Sequence, residues 1–86
     1  MKRKQILNYI NESYPDLEIL LADGFDSAFL GIGQQFNTFF AIYDKRKCIN
    51  LLSEEMNPEE AEDYFDFNVV GAYVGKNTPV FVDKIY

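Results

Sequence analysis

The sequence predicts an α+β fold: an antiparallel sheet of about four strands with three helices, in the order α-β-β-β-α-α-β. Three observations carry that expectation. Apolar residues recur at helical spacing in residues 2–13, 45–54 and 58–73. Alternating or continuous apolar runs fill 17–22, 25–33, 38–43 and 80–82. The breaks fall at Pro15, Asp23-Gly24, Gln34–Asn37, Asn57-Pro58 and Asn77-Thr78-Pro79, where turn chemistry is concentrated. A length of 86 residues suits one domain spanning 1–86, and no repeat, linker or low-complexity stretch divides it.

Each element has its own warrant. In residues 2–13, Ile6, Leu7 and Ile10 form a narrow apolar stripe continued by Tyr14, and Pro15 ends the helix by pushing the preceding residue out of the α region. Leu17, Ile19 and Leu21 alternate along a strand at 17–22. Asp23-Gly24 then forms a hairpin-type turn, because both residues tolerate positive φ. Phe25 to Gly33 is the second strand, Gln34 to Asn37 the next turn, and Thr38 to Tyr43 an aromatic third strand, which together make a meander.

Asp44 suits a helix N-cap, and residues 45–54 follow with Cys48, Ile49, Leu51 and Leu52 inward. Asn57-Pro58-Glu59-Glu60 is a second start signal, with cap, first-turn proline and an acid three residues after the cap. The helical period then holds through Ala61, Tyr64, Phe65, Asn68, Val69, Ala72 and Tyr73, with Gly75 as the C-terminal glycine. Gly71 lowers helix propensity by about 1 kcal/mol relative to Ala, which close packing would explain. The competing reading makes Val69 to Val74 a strand. Val80 to Val82 is the last short strand.

Composition narrows the function. Hydrophobic residues make up 48% and aromatics 16%, which excludes a disordered tail. The net charge is −6, opposite to that of a duplex-binding module, so no direct nucleic-acid partner is expected. Cys48 is the one cysteine and histidine is absent, which removes an intrachain disulfide, a four-ligand zinc cage and Ser-His or Cys-His nucleophiles. No cofactor or metal site is expected, although carboxylates such as Asp23, Asp26 and Asp44 leave a metal-assisted mechanism as the weakest reading. The basic start Met1-Lys2-Arg3-Lys4 lacks a following apolar region, and no run is long enough to span a membrane, so a reducing cytoplasm is expected. The Asn11-Glu12-Ser13 sequon is then a coincidence. The many aromatics also suit a subunit interface, and a homo-oligomer is expected.

Four features bear on binding. Gly31-Ile32-Gly33 lacks the third glycine and the helix of a dinucleotide loop, so it reads as strand glycine at a bulge or a close approach. Lys45-Arg46-Lys47 at a helix start opposes the macrodipole; free N–H groups beside it suit an anion, but a solvated face is the plainer reading. The stretch from Glu54 to Asp66 holds seven of the fourteen acids, and Glu59, Glu62, Asp63 and Asp66 share one helix face that suits a basic partner. Here too the plainer reading is a wet face that keeps the protein in solution. Asn68 falls on the inward stripe, where its amide either holds a ligand or fastens the helix to a neighbouring backbone; fastening is the commoner role. Asp23 and Asp26 read as turn formers.

Several motifs together resemble a known family. They are Asp23-Gly24-Phe25-Asp26, Leu30-Gly31-Ile32, Tyr43-Asp44 followed by Lys47-Cys48-Ile49, and Glu59-Glu60-Ala61. Tyr64-Phe65 and the run Phe67-Asn68-Val69-Val70-Gly71-Ala72-Tyr73-Val74-Gly75 with Thr78-Pro79 complete the set. The stretch from Asp23 to Phe81, about two thirds of the chain, is similar to small uncharacterised proteins common in tailed phages and also present in bacteria. That family carries no established activity, and the N-terminal helix lies outside the resemblance. The resemblance implies a phage or mobile-element setting, in which genes of this size often encode proteins that bind and disable a host factor.

Two functions follow from these readings. The first is a non-enzymatic accessory protein that binds a host protein, with a host-takeover or anti-defence role, through Glu59, Glu62, Asp63 and Asp66 or through aromatic surface. The second is a protein that binds or sequesters a nucleotide-like signal. There Tyr43 and Tyr73 would stack on a base, Lys45, Arg46 and Lys47 would hold phosphate, and Asn68 would add polar contacts.

Overall fold

The computed structural model describes residues 1–72 and 74–85. Helix α1 covers Arg3–Ser13, and a 3-10 turn covers Asp26–Ala28. Strands β1 (Phe29–Gln35) and β2 (Thr38–Asp44) lead directly into helix α2 (Lys45–Leu52). Helix α3 (Pro58–Tyr64) continues as a π-helical segment, Phe65–Val70, and strand β3 covers Val80–Val82. The architecture is α+β, with a sheet of three strands rather than four, in the order β1-β2-β3.

The missing strand is 17–22. Those residues pair with no strand of the sheet, so Asp23-Gly24 is a turn but not a hairpin. The cause is visible at Ala22. Its N–H donates to the Tyr43 hydroxyl at 2.9 Å, and its carbonyl accepts from Arg3 Nη2 at 3.4 Å. Both main-chain groups are therefore bonded to side chains and unavailable to a ladder. The next strand starts late for a related reason. Ala28 N–H closes onto the Phe25 carbonyl at 2.9 Å, so 25–28 coil into the 3-10 turn and β1 begins only at Phe29.

The sheet is mixed rather than antiparallel. The β1–β2 pair is antiparallel, closing on Gln35 and Thr38 around the turn Phe36-Asn37, two residues tighter at its start than the sequence suggests. Strand β3 pairs parallel with β2, with Tyr43 beside Phe81. A chain that returns through helices re-enters the sheet in the same direction, which a hairpin cannot do. The glycine pair behaves as expected of strand glycines. The β1–β2 register shifts between Phe29 and Gly31, which marks a bulge at Leu30. A Cβ at Gly33 would meet Ile42 Cδ1 at 2.6 Å and Phe40 Cε2 at 2.7 Å, so a side chain there would have to displace those two.

Both start signals work as read. Asp44 accepts from Lys47 N–H at 3.2 Å, and Asn57 Oδ1 accepts from Glu60 N–H at 2.9 Å. Helix α2 is shorter than expected, ending at Leu52 where the chain turns through 53–55. The second helical stretch does continue past Tyr64, so the strand reading of Val69 to Val74 fails: Val69 and Val70 are helical, while Gly71, Ala72 and Val74 are turn or irregular. Its final turn is wider than an α turn, with Gly71 N–H bonded to the Asp66 carbonyl at 3.2 Å. A Cβ on Gly71 would lie 2.8 Å from the Phe67 carbonyl, which explains the glycine. The helix ends at Gly71 rather than near Tyr73, and Gly75 instead opens a tight turn whose carbonyl accepts from Thr78 N–H at 3.0 Å. Tyr73, assigned to the inward stripe by its spacing, lies outside the described residues.

The core lies between the sheet and the helices. Ile6 and Ile10 of α1 meet Phe25, Ala28, Phe29, Ala41, Tyr43, Cys48, Ile49, Ala61 and Phe65 there. Leu51, Leu52 and Val69 pack against its margin, while Leu7 is half exposed. Tyr43 is fully buried, stacked on Phe81 with centroids 5.6 Å apart and edge-on to Phe29 at 5.7 Å.

Replacing Tyr43 by Phe keeps the rings and orphans the Ala22 N–H. We expect a loss of about 1–2 kcal/mol of stability, read in urea as a lower midpoint with an unchanged slope.

Candidate functional site

A half-open cleft of about 590 Å³ lies beside the core. Its floor is apolar. Leu21 and Phe25 come from the segment 17–22 and the turn after it, Leu51 and Leu52 from the end of α2, Val69 from the π segment, and Phe81 from β3. Tyr64, 45% exposed, stands on one wall with Asn68, and Thr78-Pro79 close another side. The charged residues on its lining are Asp23, Glu54 and Glu55, all exposed. An apolar floor with an acidic rim favours an apolar group carrying or flanked by positive charge.

One ion-pair cluster shapes the rim. Arg3 Nε donates to Asp26 Oδ2 at 3.1 Å, and Arg3 Nη2 donates to Asp23 Oδ1 at 3.2 Å. Asp26 Oδ1 sits 3.0 Å from Nη2 without hydrogen-bond geometry, so that contact is purely electrostatic. With its bond to the Ala22 carbonyl, Arg3 holds the start of α1 to the 22–26 loop. Asp23 and Asp26 are thus turn residues that also anchor a helix. The one anchoring cation of this loop was legible in sequence only as part of a basic start.

The expected site residues do not converge. Tyr43 is a core residue with no exposed face for stacking, because its ring fills the centre of the sheet and its hydroxyl is committed to Ala22. Arg46 and Lys47 are exposed and Lys45 is half-buried; none of the three lines the cleft. Asn68 is exposed, not inward. The inward line runs through Ala61, Phe65 and Val69, which packs against the core, and the Tyr64–Asn68 line is left at the cleft wall. Glu59, Glu62, Asp63 and Asp66 are exposed on the outside of the helix, away from the cleft lining, beside Phe67, which is 81% exposed. Tyr73 lies outside the described residues.

The cleft itself is not legible in the sequence. Glu54 and Glu55 were visible only as members of an acidic run, and Leu51 and Leu52 only as inward helix residues. Nothing local signals that α2 stops at Leu52 and opens a gap against 21–25. Among the described residues, no group of three or more His, Cys, Asp and Glu is placed to hold a metal ion, and no helix is long and apolar enough to cross a membrane. Comparison with protein-family models, curated proteins and solved structures returns no match.

Two buried groups titrate unusually. Burial, helped by the Asp44 charge, pushes the Cys48 thiol up to about 12, so it is a protonated core group and not a nucleophile. Burial also raises the Tyr43 hydroxyl, against an opposing hydrogen bond from Ala22. Both groups are held neutral by the fold, so the stability they contribute is complete below their unfolded pKa values and is lost as the pH rises through the folded ones.

For Cys48 the window runs from its ordinary 9.0 to about 12. We expect unfolding free energy to fall across that window, and a Cys48→Ala variant to show a shallower fall. Thiol labelling of native protein near neutral pH is expected to be slow until denaturant is added.

Proposed function

We propose that this chain is a non-enzymatic accessory protein of phage or mobile-element type that acts in the cytoplasm by binding a host protein. The observation that supports this most is the cleft: an apolar floor of Leu21, Leu51, Leu52, Val69 and Phe81 under a rim of Asp23, Glu54 and Glu55. The segment it suits is a short apolar stretch of a partner flanked by Lys or Arg. Burial of the apolar side chains would supply affinity, and the rim acids would steer the approach and select the sign of charge. The outer acids Glu59, Glu62, Asp63 and Asp66 add to the same field, as does the net charge of −6. The family resemblance supports the setting and not the chemistry.

The volume of the cleft also lies in the range of small-molecule sites, which keeps a nucleotide-like ligand as the second reading. Charge weighs against it. A phosphate entering the cleft would meet three carboxylates, while Lys45, Arg46 and Lys47 sit elsewhere.

Capture from a bacterial lysate is expected to return one dominant stoichiometric partner, released by raising the salt. Glu54→Lys with Glu55→Lys is expected to weaken binding by about tenfold or more, chiefly through a slower association rate. Failure to capture any partner, with a midpoint shift on adding a nucleotide, would favour the second reading.

A further inference from the structure

Strand β1 is an edge of the sheet. Its hairpin closes on Gln35 and Thr38 around the turn Phe36-Asn37. The pair closing such a turn is hydrogen-bonded, and bonded and non-bonded pairs then alternate. Gln35 and Gly33 therefore aim their main-chain groups at β2, and Ile32 and Gln34 aim theirs outward. Among the described residues, no backbone or side-chain group outside the sheet ladder bonds to the main chain of Ile32 or Gln34.

Soluble proteins usually guard such an edge with charge, proline or a covering element. Strand β1 reads FLGIGQQ, with no charge and no proline. It lies inside the uncharged run 27–43 of a chain that carries −6 overall. A second, independent observation sits at the turn. Phe36 has φ of 54° and is 90% exposed. Left-handed backbone is unfavourable for a bulky side chain and is normally given to Gly, Asn or Asp. In the lone chain this strain only holds a phenyl ring out in water.

We propose that two copies of this chain pair antiparallel along their β1 edges, about a two-fold axis at Gly33, into one continuous sheet. In that register Ile32 of one copy faces Gln34 of the partner subunit, and symmetry repeats the pair. The outward N–H and C=O groups of both residues then exchange hydrogen bonds. Phe36 comes opposite Leu30 of the partner subunit, a residue that sits at the bulge and is 46% exposed in the single chain. The strained ring thereby gains an apolar partner.

Charge selects the second copy as occupant. Two molecules of the same negative charge repel least where neither carries any, and the uncharged hairpin is that surface. The interface is also separate from the cleft, none of whose lining residues falls in 27–43, so a dimer leaves both clefts open. The pairing does not rest on the host-protein reading.

Sedimentation equilibrium of the full chain is expected to show a concentration-dependent species of twice the 10.0 kDa chain mass. Amide exchange is expected to show Ile32 and Gln34 protected in proportion to dimer. Gln34→Pro removes an outward N–H without touching the β1–β2 ladder, and is expected to weaken the dimer at least about tenfold while Gly33 and Gln35 stay protected. Phe36→Gly is expected to raise the thermal midpoint at low concentration and still weaken the dimer, which separates interface loss from misfolding. A single 10.0 kDa species at every concentration overturns the proposal. So does a dimer in which the Ile32 and Gln34 amides exchange freely.

Discussion

Much of this fold depends on one buried phenol. Tyr43 lies in the middle strand, where its ring is packed between Phe29 and Phe81 and its hydroxyl accepts the Ala22 N–H. The ring contacts join the antiparallel and parallel halves of the sheet. The hydroxyl reaches past the sheet and ties down the end of the segment 17–22, which has no ladder of its own. A phenylalanine there would fill the same space and leave that segment loose. The cost of burying a hydroxyl is met because the hydroxyl has a partner that itself needs one.

The cleft follows from how little apolar surface a chain of this size encloses. The core is complete around Tyr43, Phe65, Ile6 and Ile49, which are fully or almost fully buried. Beyond it, Leu21, Leu51, Leu52 and Val69 line a cleft that, among the described residues, no further element fills. Two local features shape it. Helix α2 stops at Leu52, and along the helical stretch after Pro58 Val69 packs against the core while Asn68 stands at the rim. The acids at the rim, Asp23, Glu54 and Glu55, belong to loops and turns, where they are readily solvated.

The hairpin shows a different balance. Gly33 lets the Ile42 and Phe40 side chains pack close against the strand, and the bulge at Leu30 bends the strand away from a regular ladder. Both features serve the inner packing of the sheet. Neither accounts for an uncharged outer edge or for a phenylalanine in left-handed backbone at the tip. Features that do not help the isolated chain are where an association surface is sought.

The sequence by itself determined the fold class, the two helix caps at Asp44 and Asn57, the long apolar-periodic stretch after Pro58, the strand character of Gly31 to Gly33 and the buried places of Cys48 and Ile49. Each is a local property: a cap needs a side chain three residues from an N–H, and periodicity needs only neighbours along the chain. Tertiary structure alone decided that 17–22 would not pair, that β3 would run parallel to β2, that Tyr43 would be buried and Asn68 exposed, and that Leu21, Leu51 and Phe81 would share a cleft. Those outcomes turn on contacts between residues far apart in sequence. Arg3 and Tyr43 capture the main-chain groups of Ala22 from α1 and β2, and no pattern within 17–22 records that competition.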